Sequence, residues 1–267
     1  MLLGLTGFVV LALLGGSAWS ITGMLATQPN SHRIGGGVAA TGAGAATGKQ
    51  DEWATGSLPD AGLRAAQPGP LSTGSSGTIS LPQPDRLGAA QVPTGFPHTS
   101  PGALAQLISI DQRALESTSL ITAQDVIASW ARAGGPTAQD WSVVGAVATL
   151  LSAAGSPAEG TPDLEVGLHP AMGLIRGGDA EDLGVSVVVP CVDFVATIRT
   201  DSASPSGVAG PTVSSPVRVA VADCQRMVWA GGRWMIASGA EPPSSPSIWP
   251  GTQASYDAGY QWLTVSP

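Results

Sequence analysis

Charge is scarce in this sequence: 11% of its 267 residues are charged and 5% are aromatic. Ordinary soluble domains carry about a quarter charged residues, so neither a charge-laced coiled coil nor an acidic disordered tail describes this chain. Histidine occurs three times and cysteine twice. His32, His98 and His169 are scattered, and no CxxC or HExxH spacing occurs, which provides neither a zinc centre nor the base of a Ser-His-Asp triad. The glycine runs at 35–37 and 177–178 lack a following lysine and a strand-to-helix setting, which excludes a phosphate loop. Eleven Lys+Arg against 19 Asp+Glu leave a formal charge of −8 and no electrostatic reason to bind nucleic acid. From these shortages no catalytic, cofactor-binding or metal-binding residue is expected, and the chain is not expected to be an enzyme.

Glycine and proline are abundant, at 36 and 22 residues, so much of the chain cannot be regular structure and a single compact globule is not expected. Residues 1–31 contain no Asp, Glu, Lys, Arg or His, and residues 2–25 read LLGLTGFVVLALLGGSAWSITGML. As a helix rising ~1.5 Å per residue this run spans a ~30 Å hydrocarbon core, so a transmembrane anchor is expected over 1–26, with the lipid bilayer as its partner. A cleaved signal peptide is the competing reading, since Ser17, Ala18 and Ser20 offer a small-residue processing site. The first charge is Arg33, beyond the run, so basic flanks do not orient it.

Residues 27–98 are mostly Gly, Ala, Thr, Ser, Pro and Gln, and a disordered spacer is expected there because such residues bury little apolar surface. Its reach, at ~5 to 6 Å times the square root of its length, is ~45 Å, enough to hold a domain clear of the bilayer. Its charges cancel: Arg33, Lys49, Arg64 and Arg86 stand against Asp51, Glu52, Asp60 and Asp85. The net negative charge therefore lies beyond residue 100.

From residue 99 to 240 an α+β domain is expected. Thr99 or Ser100 caps a first helix with Pro101 at its first position, and Leu104, Leu107, Ile108 and Leu115 follow at helical spacing. A second helix is expected from Thr122 through Val126, Ile127 and Trp130 to Gly134-Gly135. A third opens at Pro136-Thr137 and runs through Trp141, Val144, Val147, Leu150 and Leu151 to Gly155. The period then changes. Val185–Arg199 and Val217–Trp229 read as long strands, Met172–Arg176 as a shorter one, and Gly231-Gly232 as a two-residue hairpin that pairs Trp229 with Trp234.

If the long hairpin folds symmetrically about its loop, Cys191 and Cys224 face each other. A disulfide there implies an oxidising, extracytoplasmic compartment; two buried free thiols are the alternative. Asp193 and Asp223 lie inside the same apolar strands. Either they are ion-paired with Arg199, Arg218 or Arg226 or exposed to solvent, or they are pocket carboxylates of raised pKa. Residues 241–267 read as a Pro/Ser linker and a short helix from Gln253 to Leu263 capped by Thr252. Tyr256, Tyr260 and Trp262 are its candidate partner-binding residues, with docking on the sheet as the alternative.

Three helices followed by long antiparallel strands closing on Trp-Gly-Gly-Arg-Trp resemble the nuclear-transport-factor-like (SnoaL-like, cystatin-like) fold. That resemblance implies three helices packed on a curved antiparallel sheet, a cone. The pieces GFPHTSPGALAQ, ADCQRMVWAGGRWMI and WPGTQASYDAGYQWL resemble those of actinobacterial single-pass membrane proteins associated with conjugative elements. Together these resemblances imply a noncatalytic, membrane-anchored assembly or scaffold subunit of a type IV secretion-like apparatus, with its C-terminal domain outside the cytoplasmic membrane. Its partners would be other membrane-complex proteins or further copies of itself. A membrane-tethered small-ligand-binding or enzymatic cone is the alternative. Enzymatic relatives of that fold line the cone with Asp, His or Tyr, and this chain offers no histidine on an expected core element.

Overall fold

The computed structural model describes residues 50–56, 58, 59, 61–177, 187–202, 212, 213, 215–243 and 245–266. The expected anchor over 1–26 lies outside them, and among the described residues no helix is long and apolar enough to cross a membrane. What is described is α+β, with helices packed against a mixed sheet.

The elements run β1 (Thr78–Leu81), β2 (Arg86–Leu87), β3 (Pro93–Thr94), α1 (Ser100–Glu116), α2 (Leu120–Trp130) and α3 (Ser142–Ala154). They continue with β4 (Leu164–Arg176), β5 (Val187–Ser202), β6 (Thr212–Val213), β7 (Val217–Cys224), β8 (Met227–Ala230), β9 (Arg233–Ile236), α4 (Gln253–Asp257) and β10 (Gln261–Val265). The main sheet has the order β1-β10-β4-β5-β8-β9, with β6 and β7 also on β5. All its described pairings are antiparallel except β1 on β10, so the expected curved antiparallel, cone-like sheet is instead a mixed one that is neither strongly curled nor closed.

Helix starts follow local capping. The Thr99 hydroxyl accepts from the Gly102 amide and Pro101 sits in the first turn of α1. Ser119, not Thr122, caps α2, which ends at Trp130 rather than at the glycine pair. The third helix starts at Ser142 because Thr137 and Asp140 form a closed turn before it: the Asp140 carboxylate accepts from both the amide and the hydroxyl of Thr137. Gly155, at φ 66°, ends it in the left-handed conformation that glycine tolerates best.

The centre of the sheet is β5, paired with β4 along one edge and with β7 and then β8 along the other. The expected strand Val217–Trp229 is broken at Gln225-Arg226, where the opposing position on β5 is Pro190. Proline has no amide to donate, so the ladder is interrupted there and the edge changes partner. The expected short strand Met172–Arg176 is the end of a longer one, β4, with an irregularity between Pro170 and Met172. At the tight turn, Gly231 and Gly232 take φ of 60° and 76°, and Trp229 lies opposite Trp234 with ring centroids 5.5 Å apart.

Alternation along β5 divides the core. Val192, Phe194, Ala196 and Ile198 face the helices, where Leu104, Leu107, Ile110, Trp130 and Leu150 are buried. Cys191 and Val195 face the other side, against Met172, Ile248 and Tyr260.

Two expected boundaries change. The spacer expected over 27–98 joins the fold in its described part: Ala54, Ala66, Ile79, Leu81, Val92 and Phe96 are buried, and β1 lies at the sheet edge. Sparse apolar residues at alternate positions, Ile79 and Leu81, suffice once β10 supplies a pairing edge. The tail expected as a linker and one helix over 241–267 covers the far face of the sheet. Ser245 and Ile248 are buried, the helix is only Gln253–Asp257, and Gly259 at φ 87° turns the chain into β10.

Candidate functional site

Between the helices and the sheet lies a cavity of about 520 Å³. Its helical wall is Asp111 and Leu115 of α1 with Val143, Ala146 and Leu150 of α3. Its sheet wall is Val166 and Leu168 of β4, Phe194 and Ala196 of β5, and Val221 and Asp223 of β7. The segment after β9 closes it with Glu241, Ser245 and Ser247.

Three carboxyls meet in this mostly apolar space. Asp111 occupies a step in the stripe Leu104, Ile108, Leu115, spacing that turns it inward, and it is fully buried with neither oxygen hydrogen-bonded. Burial, and after it the nearby charges of Asp223 and Glu241, hold its pKa well above the usual aspartate range. Asp223 is half-buried and its pKa is pushed up to about 7, first by desolvation and then by Glu241; hydrogen bonds from the Gln225 side chain and the Cys224 backbone oppose that rise. Gln225 bridges the pair, its Nε2 donating to Asp223 at 3.1 Å and to Glu241 at 2.6 Å. Glu241 also accepts from the amide (3.0 Å) and hydroxyl (2.6 Å) of Ser142, so an acid 99 residues away caps the N-terminus of α3. Its pKa is raised by desolvation, against the pull of those hydrogen bonds.

The two aspartates singled out from sequence are not brought together. Val192 lies opposite Asp223 and Asp193 opposite Ala222, so the pleat sends Asp223 to the helix side and Asp193 to the other. Asp193 is fully buried beside the second cluster, and neither oxygen meets a partner of full hydrogen-bond geometry. Desolvation raises its pKa well above the usual range, against a smaller downward pull from the Ile248 amide. None of the three arginines considered as partners reaches either acid. Arg199 pairs with Glu165 on the neighbouring strand at 3.1 Å, Arg226 pairs with Asp51, and Arg218 lies over the Trp249 ring.

Cys191 and Cys224 lie opposite each other and form a disulfide. The aromatic trio divides. Tyr260 is fully buried with its hydroxyl on Ser245, which removes it as an exposed contact; the helix stops at Asp257 and the chain turns at Gly259, just before β10. Tyr256 is half-buried and its hydroxyl accepts from the Trp262 indole; Trp262 keeps 37% of its surface exposed. His98, placed before the first helix in the sequence, stacks on Trp229 at 4.6 Å. His169 is exposed on β4.

Sequence reasoning missed Asp111 and Glu241. The first left a local signal, an acid in step with an apolar stripe; the second sits in a Pro/Ser run with no local signal at all. Among the described residues no group of His, Cys, Asp and Glu is placed to hold a metal ion.

No family model, curated protein or solved structure matches the chain.

Proposed function

We propose that this chain is a noncatalytic assembly subunit, anchored to the cytoplasmic membrane by residues 1–26 with its folded part on the outer side, in an apparatus of the conjugative, type IV secretion-like kind. The observation that carries the reading is the Cys191–Cys224 disulfide, which crosslinks two neighbouring strands and persists in an oxidising compartment. It agrees with an uncharged leader of membrane-spanning length. An anchor confines subunits to two dimensions and raises their local concentration, so modest lateral contacts suffice for assembly.

The test is made in spheroplasts of cells carrying the full chain. External protease is expected to remove the folded part, both cysteines are expected to resist alkylation until reductant is added, and deletion of the gene is expected to lower DNA transfer between cells. Recovery of the chain in the cytosol with two reactive thiols would refute the reading.

A second reading is a tethered α+β domain that binds a small ligand, and the cavity of about 520 Å³ with carboxyls facing it favours that reading. Ligand sites typically span ~300 to 1,000 Å³ with few polar groups in an apolar wall. The two readings are compatible in one molecule.

A further inference from the structure

Resting on the ligand-binding reading of the cavity, we propose that its occupant is an organic cation, an ammonium or guanidinium group carried on an apolar body, with Asp111 as the counter-charge and Asp223 and Glu241 beside it.

The argument starts at Asp111. A fully buried carboxyl with both oxygens unpartnered is costly to the fold, and it lines an open space rather than a packed core. Asp223 faces it from β7 and Glu241 from the segment after β9, and Asp140 stands at the rim before α3. Among the described residues no arginine lines the cavity. Arginines sit elsewhere, Arg226 on Asp51, Arg199 on Glu165 and Arg233 over Trp130. The ionisable groups that line the space are therefore all acids.

That sign and shape discriminate among ligands. An anion finds no basic partner, and a neutral apolar molecule fills the wall of Leu150, Leu168 and Phe194 but leaves Asp111 without a partner. A bare metal ion needs several oxygens converging at ~2 to 2.6 Å, which the described carboxyls do not provide, and it would leave most of the volume empty. An organic cation supplies donors to Asp111 and apolar surface to the wall together. Because the acids lining the cavity hold their protons to unusually high pH, binding a cation drives them to ionise. Proton release is thus a signature of this ligand class.

The experiment titrates the full chain in detergent micelles with phenethylammonium and, as a neutral isostere, phenethyl alcohol. It is run calorimetrically at pH 6 and pH 8 in two buffers of different ionisation heat. The ammonium is expected to bind saturably, at least about tenfold tighter than the alcohol, to release protons, and to tighten from pH 6 to pH 8. Asp111→Asn is expected to weaken the ammonium about tenfold and leave the alcohol unchanged. Should that variant fail to fold, proton release by the unaltered chain carries the test. Equal affinity for ammonium and alcohol would overturn the cation assignment while leaving a ligand cavity. Absence of saturable binding of both would overturn the assignment and the ligand-binding reading together, without touching the assembly reading, whose test is topology and DNA transfer.

Discussion

Reducing the Cys191–Cys224 bond is the most informative single perturbation, because it reports on stability and compartment together. The two residues are 33 apart in sequence. For a loop of that length the chain-entropy relation gives about 3.7 kcal/mol of stabilisation at 25 °C. Position amplifies the local effect. Cys191 follows Pro190 and Cys224 precedes Gln225-Arg226, so the bond holds the point where the ladder is interrupted and β5 changes partner from β7 to β8. It also holds the residue next to Asp223. In a folded part of this size each kcal/mol shifts the melting temperature by ~2 to 4 °C, so reduction is expected to lower Tm by roughly 10 °C. The assay is thermal unfolding of the full chain with and without reductant, followed by tryptophan fluorescence, since Trp130, Trp141 and Trp234 are almost wholly buried. Cys191→Ala/Cys224→Ala is the control: it should melt near the reduced chain and ignore reductant. Hydrogen exchange at β8 and β9 should rise on reduction before that of α1. A Tm unchanged by reductant would refute the view that this crosslink constrains the strand switch.

Three further outcomes are expected. Asp223 has its pKa raised from the ordinary 3.8 to about 7, so the folded state keeps its proton where the unfolded chain has lost it. The sign follows: stability from this group is fully present below about pH 4 and is lost as pH rises through 7, by up to about 4 kcal/mol. Urea midpoints measured from pH 5 to pH 8 should therefore fall, and Asp223→Asn should flatten that slope; midpoints that rise over this range would contradict the cavity electrostatics. Asp193→Asn, which removes the cost of charging a fully buried and poorly partnered carboxyl, should stabilise the chain at pH 8 and change little at pH 4, checked by the same midpoints. Tyr260→Phe leaves the buried Ser245 hydroxyl without its partner and should cost about 1 to 3 kcal/mol in denaturant unfolding.

Legibility in the sequence followed the range of the interaction concerned. Thr99, Pro101 and the stripe Leu104, Leu107, Ile108, Leu115 mark α1 because capping and periodicity act within a few residues. The pairing of Trp229 with Trp234 was legible for the same reason: two glycines fix a two-residue turn, and counting outward fixes the register. The opposition of Cys191 and Cys224 followed from a longer count that a single bulge between them would have shifted. Where partners come from far along the chain, the local signal fails. Ile79 and Leu81 look like stray apolar residues in a spacer until β10 pairs with them. Tyr260 reads as one face of a helix, but the helix stops at Asp257 and the turn at Gly259 precedes a ring buried in the core.

The amino-acid sequence by itself determined a long uncharged N-terminal run, an α-then-β order of elements, the cap of α1 and the tight hairpin, all matters of composition or of neighbours within one or two turns. The tertiary structure alone decided that Asp193 and Asp223 part to opposite faces, since a one-residue difference in register across the hairpin inverts the side on which a side chain stands. It alone decided, too, that Asp111 and Glu241, 130 positions apart, share one cavity with Asp223. The physical reason is common to both: such convergence is set by how distant segments dock, and no local preference of the chain carries that information.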